Sequence, residues 1–84
     1  MKFQIEEGRI YIEKEEKLLA EIEYEKIGEN EYNIYHTFVD ESLRGQGIAS
    51  KLVEMAVNEI NKKNGKVSAT CSYANAWLER HNLV

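Results

Sequence analysis

The sequence contains no proline and only one cysteine, Cys71. A single thiol cannot form a disulfide within the chain, so we expect the fold to depend on packing and the thiol to be free. No stretch approaches the roughly 18 apolar residues that cross a bilayer, and the segment from Met1 to Glu7 lacks the apolar part of a signal peptide. These absences predict a cytoplasmic protein that does not associate with a membrane.

Positive charge is also scarce. Eleven basic residues stand against 15 acidic ones, which leaves a formal charge of −4. Such a chain has no broad attraction for nucleic acid or for an anionic membrane, so we expect no nucleic-acid partner. Cys71, His36 and His81 lack the close paired spacing of a zinc site, so we also expect no bound metal.

The length of 84 residues limits the chain to one domain, because a chain of this size buries only about 60% of its unfolded surface. No repeat, low-complexity tract or linker interrupts it. Hydrophobic residues make up 43% and charged residues 31%, which is ordinary for a folded protein. We therefore predict a single domain over residues 1–84.

Two-residue alternation of apolar side chains dominates the first half and predicts four half-buried strands. The alternating residues are Phe3 and Ile5, then Ile10 and Ile12, then Leu18, Ala20, Ile22 and Tyr24, then Tyr32, Ile34, His36 and Phe38. Turn formers or charges separate these runs at residues 7–8, 13–17 and 28–30. Antiparallel hairpins are the simplest connection between such strands.

The period changes after Val39. Apolar residues then recur at helical spacing, which predicts a helix from about Gly47 to Lys63 with a C-terminal cap at Asn64-Gly65. Residues 66–71 form a predicted short strand, and residues 75–81 a short helix whose Trp77 and Leu78 face inward. The predicted fold class is α/β (α+β), with antiparallel strands followed by a β-α-β end.

A glycine-rich turn joins the fourth strand to the long helix. Gly45 and Gly47 lack a β-carbon, so a ligand can approach the backbone closely. Amide groups at a helix start have no internal partners and bind anions such as a pyrophosphate. This site would use the amides of Gly45, Gln46, Gly47, Ile48, Ala49 and Ser50, and the charge of Arg44. The alternative is a tight turn without a ligand. The Lys-Ser/Thr ending of a Walker A motif and the dinucleotide fingerprint are both absent.

Arg44-Gly45-Gln46-Gly47-Ile48-Ala49 resembles the R/Q-x-x-G-x-G/A signature of the GNAT N-acetyltransferases at every specified position. The resemblance implies a GNAT-like mixed sheet with a splayed parallel pair of strands, and acetyl-coenzyme A (acetyl-CoA) as cosubstrate. The pyrophosphate would lie on this turn and the pantetheine along the fourth strand, which gives Phe38 and Val39 a cofactor-binding role. The implied reaction is acetyl transfer to an amine.

Nearly the whole chain also resembles a group of minimal, single-domain GNAT-like proteins of the YjdJ type. The shared landmarks are His36-Thr37-x-Val39, the glycine turn, Cys71-Ser72-Tyr73-Ala74, Trp77 and Arg80-His81. In that group the cysteine is the proposed catalytic residue. This chain lacks the early helices with which larger GNAT enzymes shape the acceptor pocket. The acceptor is therefore open between a small-molecule amine and a lysine-like amine.

Three residues are candidates for catalysis, each with a structural alternative. Cys71 either acts on the acetyl group or a proton, or packs as a small apolar residue. His36, predicted on the strand face of Ile34 and Phe38, is a general base or a hydrogen-bonded core histidine. Tyr73 donates a proton to the leaving thiolate, as a tyrosine does in many GNAT enzymes, or only packs. Asn75 caps the last helix or touches the cofactor.

The acidic strand residues either attract a cationic acceptor or form a solvated face. They are Glu21, Glu23, Glu25, Glu29 and Glu31. Asp40 and Glu41 are predicted to form a surface turn. The function hypotheses are an acetyltransferase, a non-catalytic acyl-CoA-binding or sensing module, and a structural domain without a cofactor. An exposed edge strand would allow a monomer or a weak dimer.

Overall fold

Five strands lie side by side in the order in which they occur along the chain. The computed structural model describes residues 2–83. The strands are β1 (Gln4–Glu6), β2 (Arg9–Lys14), β3 (Lys17–Gly28), β4 (Glu31–Val39) and β5 (Lys66–Ala69), and the helices are α1 (Ile48–Lys62) and α2 (Ser72–Arg80). A short 3₁₀ helix, Glu41–Leu43, precedes α1. This is a mixed α/β fold, as predicted.

The first four strands are antiparallel neighbours joined by hairpins, which confirms the predicted connections. The β2–β3 turn consists of Glu15 and Glu16, both with positive φ, at 52° and 64°. Asn30, with φ of 58°, lies in the β3–β4 turn. β1 is shorter than the alternation suggested, and its Ile5 side chain is 52% exposed rather than half-buried.

Both helices contribute to one apolar core against one face of the sheet. Apolar residues of α1 and α2 meet the inward side chains of β2, β3 and β4, and the fully buried members include Ile10, Ile22, Ile34, Leu52, Val53, Ile60 and Leu78. Among residues 2–83, no helix combines the length and the apolar character needed to cross a bilayer. The opposite face of the sheet carries no helix in this part of the chain.

The helix α1 ends as the sequence predicts. Asn64 takes the left-handed conformation, with φ of 58°, and the Gly65 N–H donates to the Ile60 carbonyl at 3.0 Å. This pattern satisfies a carbonyl that the helix leaves open. Gly65 is also required for space, because a β-carbon there would lie 2.7 Å from the Tyr32 ring.

β4 and β5 form a parallel pair that separates early. Pairing runs from Glu31 with Lys66 to Ile34 with Ala69, whereas β4 continues to Val39. The Ile34 carbonyl accepts the N–H groups of both Thr70 and Cys71, at 3.1 and 3.3 Å. The prediction that β5 reaches Cys71 was therefore wrong, because the chain turns away at this shared carbonyl. The result is the expected splay between the two strands.

An extra residue in β4 changes the face of its second half. Glu23 pairs with His36 and Tyr24 pairs with Ile34, so Tyr35 forms a bulge. A bulge of one residue reverses the alternation beyond it. His36 and Phe38 therefore lie on the helix-free face, opposite Ile34, and the predicted shared face was wrong. The alternative of a core histidine was wrong too, since the His36 side chain is 44% exposed.

The helix α2 begins three residues earlier than predicted. It starts at Ser72 with Cys71 as its N-cap, so Asn75 lies inside the first turn and is not the cap. The Asn75 N–H donates to the Cys71 carbonyl at 2.9 Å, which is an ordinary helical bond. The small residues at the helix start gave no apolar period from which the true beginning could be predicted.

Candidate functional site

The glycine turn presents open backbone to solvent. Gly45 and Gly47 have φ values of 83° and 73°, which side chains other than glycine rarely adopt. A β-carbon built at either position would meet no atom within 4 Å. The two glycines therefore allow the left-handed backbone conformation of the turn, and they leave free space beside the backbone. Both are exposed, as are Arg44 and Gln46.

The start of α1 supplies backbone donors toward this space. Gly47 is the N-cap of the helix, and the first helical bond runs from the Lys51 N–H to the Gly47 carbonyl at 3.1 Å. The amides of Ile48, Ala49 and Ser50 consequently have no partner inside the helix. Together with the positive end of the helix dipole, they favour an anionic group at the turn.

The approach to the turn is fixed by Asp40. Its carboxylate accepts the N–H and the hydroxyl of Ser42, at 3.0 and 2.7 Å, and caps the 3₁₀ helix. Hydrogen bonds from the Ser42 hydroxyl and N–H lower the pKa of Asp40 below its ordinary 3.8. The prediction that Asp40 and Glu41 belong to a surface turn is thereby confirmed.

A pocket of about 340 Å³ joins the turn to the end of β4. Its lining residues are Thr37, Phe38, Val39, Leu43, Arg44, Gly45, Gly47, Ile48, Ala49, Ser50 and Tyr73. Eight of the ten residues predicted to bind the cofactor are therefore brought together here. Gln46 and Asn75 do not line this pocket, whereas Thr37 and Leu43 line it without having been predicted.

Backbone N–H groups of β4 alternate between its two edges. The Asp40 N–H donates to the Leu19 carbonyl of β3 at 2.7 Å, so the Val39 N–H points toward the opposite edge. At that edge the backbone N–H of Thr37 interacts with the sulfur of Cys71. Because β5 has already separated, the Val39 N–H is directed into the splay, beside the pocket.

Cys71 lies at the far side of the splay, where α2 begins. Its sulfur is 3.3 Å from the Thr37 hydroxyl. Partial burial raises the pKa of the thiol, but interactions with the Thr37 hydroxyl and with the backbone N–H groups of Ala74, Tyr73 and Thr37 outweigh it and lower the pKa below 9.0. The side chain that contacts the sulfur is Thr37 and not His36, and the backbone N–H groups at the start of α2 contribute to the lowered pKa of the thiol.

Two aromatic side chains connect α2 to the pocket region, Tyr73 as a lining residue and Trp77 through a hydrogen bond to a lining residue. Tyr73 is 37% exposed and lines the pocket directly. Trp77 is buried and its Nε1–H donates to the Ser50 hydroxyl at 2.8 Å, which ties α2 to the first turn of α1. The His81 ring stacks on Trp77 with centroids 3.8 Å apart.

His36 belongs to a polar cluster on the helix-free face. Its Nε2 atom lies 3.4 Å from Glu21 Oε1, and Arg9 binds the other carboxylate oxygen of Glu21. Glu21 is only 8% exposed, so this residue is not part of a solvated acidic face. Glu23 lies close to the same pair. The alternation could not reveal this cluster, because the bulge at Tyr35 is not visible in the sequence.

The geometry thus combines open backbone amides at a helix start, a pocket beside a splayed strand pair and a thiol with a lowered pKa. A family model described as GCN5-related N-acetyl-transferase matches residues 7–83. The chain belongs to the GCN5-related N-acetyltransferase family. The resemblance found in the glycine turn is thereby confirmed, as is the expected GNAT fold.

Two solved structures resemble the chain to different degrees. A GCN5-like candidate N-acetyltransferase from Staphylococcus aureus is 38% identical, with a TM-score of 0.79 over 96% of this chain and 80% of that one. A predicted acetyltransferase from Clostridium acetobutylicum, whose structure contains acetyl-CoA, is 17% identical with a TM-score of 0.63, over 87% of this chain and 55% of that one. The second likeness shows the shared fold only.

The vertebrate protein NATD1 is a further relative. The NATD1 proteins of Xenopus tropicalis and Homo sapiens are each 30% identical to the chain over 60 residues, which is 71% of this chain. The matched segment covers 55% and 53% of their own lengths. The chain therefore matches little more than half of these relatives.

Proposed function

We propose that this GNAT domain, as a single folded unit, binds acetyl-CoA and transfers its acetyl group to a primary amine. The observation that carries the proposal is the continuity between the open amides at the start of α1 and the pocket along the end of β4. This continuity suits a ligand with a pyrophosphate at one end and a thioester at the other.

The pyrophosphate would lie at Gly45 and Gly47, against the amides of Ile48, Ala49 and Ser50. A helix N-terminus is a favourable place for its negative charge. Arg44, exposed beside the turn, would add a charged contact to a phosphate. Neither glycine places atoms in the space that the phosphates need.

The pantetheine arm would follow Phe38 and Val39 into the splay. This path brings the thioester between the Val39 N–H and the Cys71 sulfur. The Val39 N–H is suited to stabilise the negative charge that develops on the thioester oxygen during attack. Tyr73, which lines the same pocket, would protonate the leaving thiolate.

Two chemical routes use this arrangement. In the direct route the amine nitrogen attacks the thioester carbon, a C–N bond forms, the C–S bond breaks and coenzyme A leaves as a thiol. In the covalent route the Cys71 thiolate first takes the acetyl group and the amine then attacks that second thioester. The lowered pKa of Cys71 makes its thiolate more available for the covalent route.

One observation favours a second function. Within residues 2–83 no helix precedes β4, so the acceptor side of the splay is an open sheet face and not an enclosed pocket. A module that binds an acyl-CoA without transferring the acyl group would need no acceptor pocket. This alternative requires the same glycine turn, but it predicts no product with any amine.

The first experiment measures the thermal midpoint with and without acetyl-CoA. A ligand at about 100 times its dissociation constant adds about 2.7 kcal/mol, which corresponds to a rise on the order of 10 °C for a domain of this size. Gly47→Glu places a negative charge where the pyrophosphate would lie and should abolish the rise. Gly47→Ala imposes the same backbone strain without the charge. This variant should keep a larger part of the rise in the thermal midpoint.

The second experiment incubates the protein with acetyl-CoA and a panel of small amines and lysine peptides, and follows the release of the coenzyme A thiol. Release that depends on the amine, with an acetylated product in the mass spectrum, supports the acetyltransferase. A thermal rise without transfer to any amine supports the acyl-CoA-binding module. The absence of a thermal rise at millimolar acetyl-CoA would refute both functions.

A further inference from the structure

The helix-free face carries a buried carboxylate that holds both an arginine and a histidine. Glu21 is 8% exposed; one of its carboxylate oxygens accepts a hydrogen bond from the Arg9 guanidinium, and the other lies 3.4 Å from His36 Nε2. Arg9 in turn lies over the Tyr11 ring, with its guanidinium carbon 3.8 Å from the ring centroid. A carboxylate that is buried without a covering helix is therefore fixed by its neighbours on the sheet.

The contact distinguishes the two nitrogens of the histidine ring, because Nε2 is the one that lies near Glu21. Nε2 lies 3.4 Å from Glu21 Oε1, so a neutral ring with its proton on Nε2 faces the carboxylate and has its lone pair on Nδ1. The His36 side chain is 44% exposed, so a molecule on the open face can reach it. The negative charge of Glu21 beside Nε2 favours the tautomer that carries its proton there.

The cluster adjoins the proposed site for the acetyl group. Phe38, which lines the pocket, follows His36 by two residues on the same face, a separation of about 7 Å along a strand. Glu21 lies directly opposite Phe38 in the β3–β4 pairing. Thr37, between His36 and Phe38, faces the other side and contacts Cys71. An amine that reaches the splay from the open face would pass beside His36.

A metal ion is a weaker explanation for the cluster. One ligand atom from each of Glu21, Glu23 and His36 lies within 4.8 Å of the others. However, the Arg9 guanidinium already binds a Glu21 oxygen and supplies the positive charge that a metal ion would bring. A second cation at the same carboxylate would be repelled by this arginine.

We propose that Arg9, Glu21 and His36 form a proton-accepting relay for the acceptor amine, with Glu21 as the positioning residue for His36. The proposal rests on the proposed acetyl transfer. A protonated amine gives one proton to His36 Nδ1, the neutral nitrogen attacks the thioester, and the proton that the new amide loses goes to the coenzyme A thiolate, directly or through Tyr73. The histidine releases its proton to water, so atoms and charges balance.

The test compares steady-state kinetics of the full chain with acetyl-CoA and an amine that the native protein acetylates. His36→Gln should lower kcat/KM for the amine by about 100-fold, a typical effect of losing a general base. Glu21→Gln should lower it by about 10-fold or more, mainly through kcat, with the KM for acetyl-CoA unchanged. Glu13→Gln removes an exposed charge from the neighbouring strand β2 and should leave the kinetics unchanged.

A change of acceptor separates positioning from a merely structural effect. Hydroxylamine is mostly neutral at neutral pH and needs no base before it attacks. The losses in His36→Gln and Glu21→Gln should therefore be several-fold smaller with hydroxylamine than with an alkylamine. A structural defect would reduce both rates equally. Nitrogen-15 spectra of the histidine ring supply an independent readout, in which native His36 carries its proton on Nε2 and Glu21→Gln populates both tautomers.

Three results would overturn the relay. The first is unchanged kcat in His36→Gln while the native protein transfers acetyl groups; the second is an equal loss with both acceptors; the third is a native His36 protonated on Nδ1. The His36 side chain is 44% exposed and lies outside the apolar core, so His36→Gln should keep the fold and decides the matter even where Glu21→Gln unfolds. If the native protein transfers no acetyl group to any amine, the proposed acetyl transfer is wrong and the relay falls with it. The thermal midpoint with acetyl-CoA then shows whether the protein still binds the cofactor.

Discussion

The Thr37 hydroxyl lies 3.3 Å from the Cys71 sulfur, across the point where β4 and β5 separate. Thr37 belongs to β4, and Cys71 is the N-cap of α2. The contact therefore links the strand that lines the pocket to the helix that follows the splay. It also contributes to the lowered pKa of the thiol.

Replacement of Thr37 by valine should make Cys71 less reactive. The variant keeps the shape of the side chain but removes the hydroxyl, so the pKa of the thiol should rise. We expect alkylation by iodoacetamide at neutral pH to slow several-fold, and the pH profile of the alkylation rate to move to higher pH. The control is Thr70→Val, because the Thr70 hydroxyl is bonded to Asn33 and not to the sulfur. Identical profiles for native protein and Thr37→Val would contradict this assignment.

The same thiol predicts how stability depends on pH. The pKa of Cys71 is lower in the folded state than its ordinary value of 9.0, so the unfolded chain binds more protons between the two values. The free energy of unfolding should therefore rise with pH in this range, relative to Cys71→Ser, and the gain should be complete above 9.0. Urea titrations of both proteins from neutral pH upward measure the difference. A difference that shrinks as the pH rises would refute the predicted direction.

The β2–β3 turn offers a stabilising change. Glu15 and Glu16 both adopt positive φ, a conformation that suits asparagine and glycine in two-residue hairpin turns. The double variant Glu15→Asn/Glu16→Gly should raise stability by about 1 kcal/mol, or about 4–8 °C in the thermal midpoint. Glu15→Ala/Glu16→Ala removes the same charges without relieving the backbone and should bring no such gain. An equal gain in both variants would point to charge repulsion instead.

Gly65 tests the packing of the α1–β5 connection. A β-carbon at this position would lie 2.7 Å from the Tyr32 ring and 2.9 Å from the Ile60 side chain. Gly65→Ala should therefore destabilise the domain by about 1–3 kcal/mol through overpacking. Combining it with Tyr32→Leu should recover part of the loss, since the smaller side chain leaves room. Additive effects of the two changes, measured by urea unfolding, would contradict the steric explanation.

The Trp77–Ser50 hydrogen bond predicts coupling between the two helices. Trp77→Phe and Ser50→Ala each remove this bond, which spans 2.8 Å. Each change should cost about 1 kcal/mol or more of stability, and the double variant should show a coupling energy of about 1 kcal/mol. Because Ser50 lines the pocket, Trp77→Phe should also weaken acetyl-CoA binding several-fold. A coupling energy of zero would show that the bond does not hold the helices together.

Patterns with a regular period were sufficient to predict most of the fold. The apolar spacing of α1 predicted both of its ends to within one residue, and the turns between β1 and β4 follow from charge and turn-forming residues. The glycine turn was predictable because Gly45 and Gly47 are required by backbone conformation. Local chemistry of this kind is visible in a single sequence.

Features that depend on tertiary pairing could not be predicted in the same way. The bulge at Tyr35 arises from the register between β3 and β4, and it carried His36 from the predicted core face to the open one. The early start of α2 follows from the turn at the Ile34 carbonyl, which the composition of residues 71–75 does not indicate. The buried Glu21 appeared to be one of several acidic strand residues, because its partner Arg9 is twelve positions away.

The arrangement of the sheet in chain order has a consequence for how the polypeptide reaches this structure. Each of the strands β2, β3 and β4 pairs with the strand just synthesised before it, so these hairpins need only short loops to close. Only the β4–β5 pair requires the chain to travel through a whole helix first. We therefore expect the hairpins to form early, and the splay with its pocket to appear last, when β5 and α2 dock. The site is thus the final part of the molecule to become ordered during folding.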